Sequence, residues 1–397
     1  MKSRTMKTTL LFSAVAAAAL AAAPTVAQKN PIKIGFVSTF SGPTAVIGED
    51  MRNSVELALD HLGRQMAGRP VEVIYEDDMQ KPDVGRQKTE KLIQSDRVDF
   101  IAGYIWSNVL LASFKPVVDA QTFLIGTNAG PHQLAGAQCS PFFFSTSWQN
   151  DQTPQAVGLY MNQKNVKSVY LIGPNYAAGR DMLNGLRSTY KGKVVGQDLT
   201  RWPDQLDFSA ELSKVRAAKP AAVFVFFPGA AGVQFLNQYA QSGLKNTIPL
   251  YQAFTVDAIT LPRQKELAMG VAGAQQWVND QPNKANKRYV SDFLAKHKMY
   301  PSYYGAQSYD AINLINSAVS AVKGDLSRKD DMRAEMRKVS FDSVRGPYRY
   351  GNNHFPIQNF YLQDVVKDDN GMLTLKTIST IVENDQDDFA SKCPMKW

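Results

Sequence analysis

The sequence predicts an α/β protein of two doubly wound, Rossmann-like lobes, and three observations carry that prediction. Apolar, β-branched runs alternate with amphipathic stretches along most of the chain. The alternation restarts after Phe142-Phe143-Phe144, so two similar β-α series stand in tandem. The length, 397 residues, is more than a single core ordinarily holds.

The stretch from Val98 to Asn108 shows the repeating unit most clearly. Its first part has the composition of a strand buried on both faces; Ser107-Asn108 breaks it, and Val109, Leu110 and Phe114 then recur at helical spacing. A strand feeding a Ser/Asn N-cap leaves backbone N–H groups at the helix start, where an anion can be held. Trp106 stands at that tip, on the side where open α/β sheets bind ligands. An ordinary β-α turn has the same signature, so a functional reading depends on later turns completing the same site.

The other elements follow in order. Residues 32–37 alternate into a strand, a Ser/Gly/Pro loop covers 38–48, and Met51, Val55, Leu59 and Leu62 mark a helix from Glu49 with Gly63 as C-cap. A strand over 71–75 runs into the acidic turn Glu76-Asp77-Asp78, and a helix spans 83–95. The Ser107 helix is expected to kink or break near Pro116 before a strand at 123–125. In the second series, strands at 169–173, 194–196, 222–227, 247–251 and 271–278 are interleaved with helices at 179–190, 209–217 and 233–241. A helical segment over 282–325 and β-structure from Val344, with turns at Gly346-Pro347 and Asn370-Gly371, complete the chain.

Composition bounds the function. Hydrophobic residues at 44% and charged ones at 20% describe an ordinary globular protein. Lys2, Arg4 and Lys7, an apolar run over 10–23 and the small-residue site Thr25-Val26-Ala27 read as a signal peptide over 1–27, so export to the periplasm is expected. No Cys stands directly after that site, where Gln28 lies, so no lipid anchor is expected, and no later stretch is long enough to span a membrane. Losing 1–27 removes three positive charges and no negative one, taking the formal charge from +8 to +5. The remainder is dilute and not interleaved with aromatics, which argues against a nucleic-acid partner. Cys139 and Cys393 are the only cysteines. An oxidising compartment suits a bridge, and two buried thiols are the alternative; sequence supplies no geometry to choose.

Signatures of catalysis are missing. The loop Ser38-Thr39-Phe40-Ser41-Gly42-Pro43 is no dinucleotide fingerprint, and neither a G-x-S-x-G elbow nor a P-loop occurs. His61, His132, His297 and His354 have no metal-ligand spacing, and Asp77-Asp78 and Asp368-Asp369 read as solvated turns. A non-enzymatic protein without cofactor or metal is expected, and without a DNA-binding or membrane segment a sensing domain is not.

Several motifs, taken together and in this order, resemble one family. They are Ile32-Lys33-Ile34-Gly35 with Ser41-Gly42-Pro43, Glu76-Asp77-Asp78, Trp106-Ser107, Asn175-Tyr176-Ala177-Ala178-Gly179, Gln241-Ser242-Gly243-Leu244 and Tyr309-Asp310-Ala311. The chain from Ile32 into the 380s is similar to the periplasmic solute-binding proteins of ABC importers, of the leucine/isoleucine/valine-binding (type I) family. The resemblance implies a monomer of two lobes joined by three crossovers that closes on a small molecule and delivers it to an inner-membrane permease. It puts 28–147 and 278–355 in the N-terminal lobe and 148–277 and 356–397 in the C-terminal lobe. The crossovers then fall near Ser147-Trp148, Trp277-Val278 and His354-Phe355.

It also implies a site. The ligand carboxylate would meet Ser107 and the turn Asn128-Ala129-Gly130, whose Ala129 and Gly130 are the backbone donor candidates, and Tyr176 would close over it. The acidic residue that pairs with the amino group in amino-acid binders corresponds to Phe254 here, the Thr that helps it to Gly130, and the loop Trp to Ile47. A buried ammonium without its counter-charge is costly. Trp106, Tyr176, Phe227 and Phe254 suit a flat apolar body, so a benzoate- or phenylpropenoate-like carboxylate is expected. Branched-chain amino acids or amide- and urea-like solutes are the alternative, and for Trp106 and Phe254 so is plain packing in the hinge.

Overall fold

The computed structural model describes Met1 and residues 30–396; beyond Met1, the segment read as a signal peptide lies outside the described residues. Six strands come first: β1 (Ile32–Ser38), β2 (Gln65–Met66), β3 (Arg69–Asp77), β4 (Phe100–Gly103), β5 (Phe123–Gly126) and β6 (Phe143–Ser145). They form one sheet in the order β2-β3-β1-β4-β5-β6, parallel except at β2–β3. The second sheet holds β7 (Ser168–Pro174), β8 (Lys193–Thr200), β9 (Ala222–Phe226), β10 (Leu250–Ala253), β11 (Ala272–Gln275), β12 (Arg349–Tyr350), β13 (Pro356–Lys367) and β14 (Leu373–Asp385). Its order is β12-β13-β11-β10-β9-β7-β8, with β14 paired antiparallel to β13.

Twelve α-helices lie among the described residues: α1 (Ala45–His61), α2 (Pro82–Gln94), α3 (Ser107–Asp119), α4 (His132–Ala135), α5 (Gln152–Gln163), α6 (Ala177–Thr189), α7 (Ser209–Ala218), α8 (Ala230–Gln241), α9 (Leu261–Gln264), α10 (Lys284–His297), α11 (Tyr303–Ala321) and α12 (Lys329–Lys338). The central strands of the first sheet are buried throughout, as continuous apolar runs require when helices cover both faces. Gly103 has φ +118°, and a Cβ there would strike the Val37 carbonyl, so only glycine lets β4 leave the sheet beside β1.

Three elements differ from expectation. Helix α3 runs through Pro116, which sits in its last turn and so removes a single backbone bond. Segment 282–325 is two helices, interrupted where Lys298 takes φ 59° and Pro301 intervenes; the Ser302 side chain then caps α11 by accepting from the N–H of Tyr304. Helices α5 and α12 carry too few periodic apolar residues to announce themselves.

The chain passes between the sheets after β6, after β11 and around β12 and the start of β13. Arg345, buried, clasps two of these crossings: its guanidinium donates to the carbonyls of Thr146 and Ser147 and to Gln358 Oε1 (2.6 Å), and lies 3.5 Å from Asp310. The sequence reading places all of 356–397 with the second lobe, but the tail leaves it after β14. Asp387 accepts from Asn353 Nδ2 (2.8 Å), Phe389 stacks on His132, and Cys393 is disulfide-bonded to Cys139. The return has a physical basis, since the tail covers the α4 region of the first lobe and the bridge fixes it there.

Candidate ligand-binding site

The site forms where the two sheets present their carboxyl ends to one another. On the first-lobe side, β4 ends at Gly103 and α3 opens at Ser107. Trp106, not Ser107, is the N-cap residue, extended at φ −104° and ψ 129°. The bond from the Leu110 N–H to the Trp106 carbonyl (2.9 Å) leaves the N–H groups of Ser107 and Asn108 ahead of the first helical turn. Trp106 is buried, and its indole N–H donates to Thr39 Oγ1 (2.8 Å), whose hydroxyl donates in turn to Asp78 (2.5 Å). Burial raises the Asp78 carboxyl to about 6.

Asn150, in the first crossover, ties the polar end together. Its Nδ2 donates to Ser107 Oγ (3.1 Å) and Asp181 (2.9 Å), and its Oδ1 accepts from the Gly130 N–H (3.2 Å). Asp181, on α6, is also paired with His132 of α4 at 2.9 Å. Asn128 donates to the Ile105 carbonyl (2.8 Å), while its Oδ1 and the indole N–H of Trp148 are buried without partners among the described residues. Burying such groups unpaired is unfavourable, which marks them as available to a ligand.

The rest of the wall is aromatic. Phe254 stacks on Trp148 at 4.3 Å between centroids, and Tyr176 lies edge-on to Trp106 at 6.2 Å and parallel to Phe226 at 6.3 Å. Phe254 has φ 56°, a conformation a bulky residue adopts only when its surroundings impose it. Between these rings lies a small cavity of about 10 Å³, bounded also by Ala129, Ala178, Met182, Pro228 and Tyr304. No charged side chain lines it.

Of the residues expected from sequence, Trp106, Ser107, Asn128, Ala129, Tyr176 and Phe254 meet at this cavity. Three do not. Phe227 turns away to pack on Phe208 and Phe235, at 4.7 and 5.1 Å, because successive strand residues face opposite ways; Phe226 takes the place expected for it. Ile47 is wholly buried in the core. Gly130 has no room for a Cβ because the Trp148 carbonyl occupies that position, so its role is backbone packing in the hinge. Neither backbone donor candidate is free either: the Ala129 N–H is bonded to the Tyr104 carbonyl (3.0 Å) and the Gly130 N–H to Asn150. Trp148, Asn150, Phe226 and Tyr304 were not foreseen.

Residues 31–370 match the periplasmic binding protein family. The chain belongs to that family. A solute-binding protein of an ABC transporter from R. palustris, solved in complex with benzoate, superposes on this binding protein with a TM-score of 0.87 at 30% identity, covering 92% of this chain and 100% of its own. Another, from Rhodopseudomonas palustris BisB5 in complex with 3,4-dihydroxybenzoic acid, has a TM-score of 0.83 at 27% identity over 90% and 99% of the two chains. The Leu/Ile/Val-binding protein homolog 6 of Brucella melitensis is 25% identical over 380 residues, 92% of this chain and 95% of the relative. The fold is therefore the two-lobed one of this family, and the family is one of extracytoplasmic ligand-binding proteins.

Proposed function

We propose that this binding protein captures a small aromatic carboxylate, benzoate or a hydroxybenzoate, by closure of its lobes, and delivers it to an inner-membrane ABC permease after export on a signal peptide over 1–27. One observation carries the ligand class: the cavity is walled by rings, contains no charged side chain, and has its polar end at the start of α3. A carboxylate there takes the Ser107 hydroxyl and the free N–H groups of α3, a charge-assisted arrangement that needs no buried cation. An α-ammonium finds no anion in the lining, and Asp181 behind it is already engaged by Asn150 and His132. The benzoate and dihydroxybenzoate complexes of the two R. palustris proteins support the same class.

The moving units in this reading are 28–147 with 278–355, and 148–277 with 356 to the end of β14. Ligand lands on Ser107 and the Asn128 turn, and Tyr176, Phe226 and Phe254 then fold over it. A thermal-shift series of the mature chain with benzoate, 4-hydroxybenzoate, 3,4-dihydroxybenzoate and leucine tests it. Stabilisation by one or more benzoates and none by leucine is expected; stabilisation by leucine alone overturns it.

A further inference from the structure

Outside the ring-lined cavity, and sharing part of its wall, lies a second space between the lobes. It measures about 250 Å³ and is bounded by Pro43 and Met79 of the first lobe and Pro203, Leu206 and Phe227 of the second. Trp106 and Pro228 belong to the walls of both spaces. Trp202, on the loop that leaves β8, lines the outer space and packs against two rings of the inner wall, Trp106 and Tyr176, so that the three form a partition between the spaces. The Trp202 ring stacks on Tyr176 at 4.0 Å and 15°, and meets Trp106 at 4.9 Å and 62°.

The three rings of this partition are held very differently. Trp106 is buried and fixed by the bond to Thr39. Tyr176 is buried at the start of α6. Trp202 is half-buried on a loop whose neighbours Arg201, Pro203, Asp204 and Leu206 are exposed, and it lies against the other two rings. It is therefore the least buried of the three rings, on the outer side of the core it packs against.

Resting on the aromatic-carboxylate reading above, we propose that Trp202 is the residue that sets the length of ligand the cleft accepts. With the indole in place, the space that opens between the inner rings to admit a ligand ends after one ring. Without it, the inner and outer spaces become one apolar slot able to hold a two-ring aromatic carboxylate, its carboxylate still at Ser107 and its second ring among Pro43, Met79, Phe227 and Leu206. Ligand length is thus decided by a loop of the second lobe and not by the carboxylate site.

Isothermal titration of the mature chain and its Trp202→Ala and Trp202→Phe variants with benzoate, 3-phenylbenzoate and 4-phenylbenzoate tests this, with melting curves to show that each variant is folded. Wild type should bind benzoate about tenfold or more tighter than either phenylbenzoate, the value of one well-made ring contact. Trp202→Ala should weaken benzoate and strengthen at least one phenylbenzoate, reversing the order, and Trp202→Phe should restore it. If wild type binds benzoate and the ratio of one-ring to two-ring affinity is the same in Trp202→Ala, Trp202 does not set length and this inference is overturned alone. If wild type binds none of the three acids, and neither 4-hydroxybenzoate nor 3,4-dihydroxybenzoate, the aromatic-carboxylate reading falls and the role given to Trp202 falls with it.

Discussion

The two walls of the cleft are built on different principles. The first-lobe wall is polar and anchored: Trp106 is hydrogen-bonded through Thr39 to Asp78, and Ser107 is joined through Asn150 to Gly130 and Asp181. The second-lobe wall is made of rings, Tyr176, Phe226 and Phe254, that meet other rings and, at Trp202, an exposed loop. Directional bonds need pre-set donors, and a wall that orders them before ligand arrives spends no ligand affinity on doing so. Ring contacts are non-directional and form on closure, so the wall that moves can be the apolar one. The first wall orients and the second encloses.

That contrast is broken most strongly at Trp106. Trp106→Ala should destabilise the ligand-free protein by about 3–5 kcal/mol, since it empties a buried indole's volume, and should abolish benzoate binding; melting and titration together check it. Its counterpart on the other wall should behave differently. Tyr176→Ala should weaken benzoate by about 1–3 kcal/mol through lost ring contact while moving the ligand-free melting midpoint less than Trp106→Ala does. An equal loss of stability would place Tyr176 in a permanently packed core and erase the distinction between the walls.

The disulfide stands outside both walls and so gives a control. Cys139 and Cys393 close a loop with a sequence separation of 254 and pin the tail to the first lobe. The double variant Cys139→Ser/Cys393→Ser should lose about 2–4 kcal/mol of stability with benzoate affinity unchanged, read by chemical denaturation and calorimetry. On the first wall, Ser107→Ala should cost about 1.5–3 kcal/mol of binding, the value of a hydrogen bond to a charged group. An unaltered affinity would move the carboxylate away from α3.

How much of this was legible in the sequence depends on the kind of element. The β4-turn-α3 unit was, because a buried strand is an unbroken apolar run and a helix start a polar break; Trp106 and Ser107 follow from it. Tyr176 and Phe254 came from resemblance, and both line the cavity. Phe226 was missed for Phe227 because neighbouring ring residues in a strand differ only in which face they meet, and alignment cannot resolve a single step. Trp148 and Asn150 sit in a crossover with no periodicity to place them. Tyr304 reads as ordinary helix core. Trp202 lies in a loop whose path no local pattern dictates, and its importance comes only from the lobe it reaches across to.

The smallest effect distinguishes the lobes by their buried acids. Asp50, on α1 of the first lobe, is raised to about 7, chiefly by burial, with Asp257 of the second lobe adding repulsion against its bonds to Ser302. Asp257 is raised to about 6 by its own burial. Each therefore keeps its proton in the folded protein at pH values where the unfolded chain, titrating near 3.8, has lost it. The folded state binds more protons in that window, so each acid's contribution to stability is present at low pH and is lost as pH rises, through about 7 for Asp50 and about 6 for Asp257. Removing the titration isolates the effect from that of other groups. The melting midpoint of Asp50→Asn minus that of wild type should climb from about pH 4 to about pH 7 and then level off, and the same difference for Asp257→Asn should climb over a narrower range and level off near pH 6. Two flat differences would mean that both carboxylates titrate in the folded protein as they do in the unfolded chain. Equal climbs would mean that the two lobes bury their acids alike, and would confine the contrast between them to the ligand-facing walls.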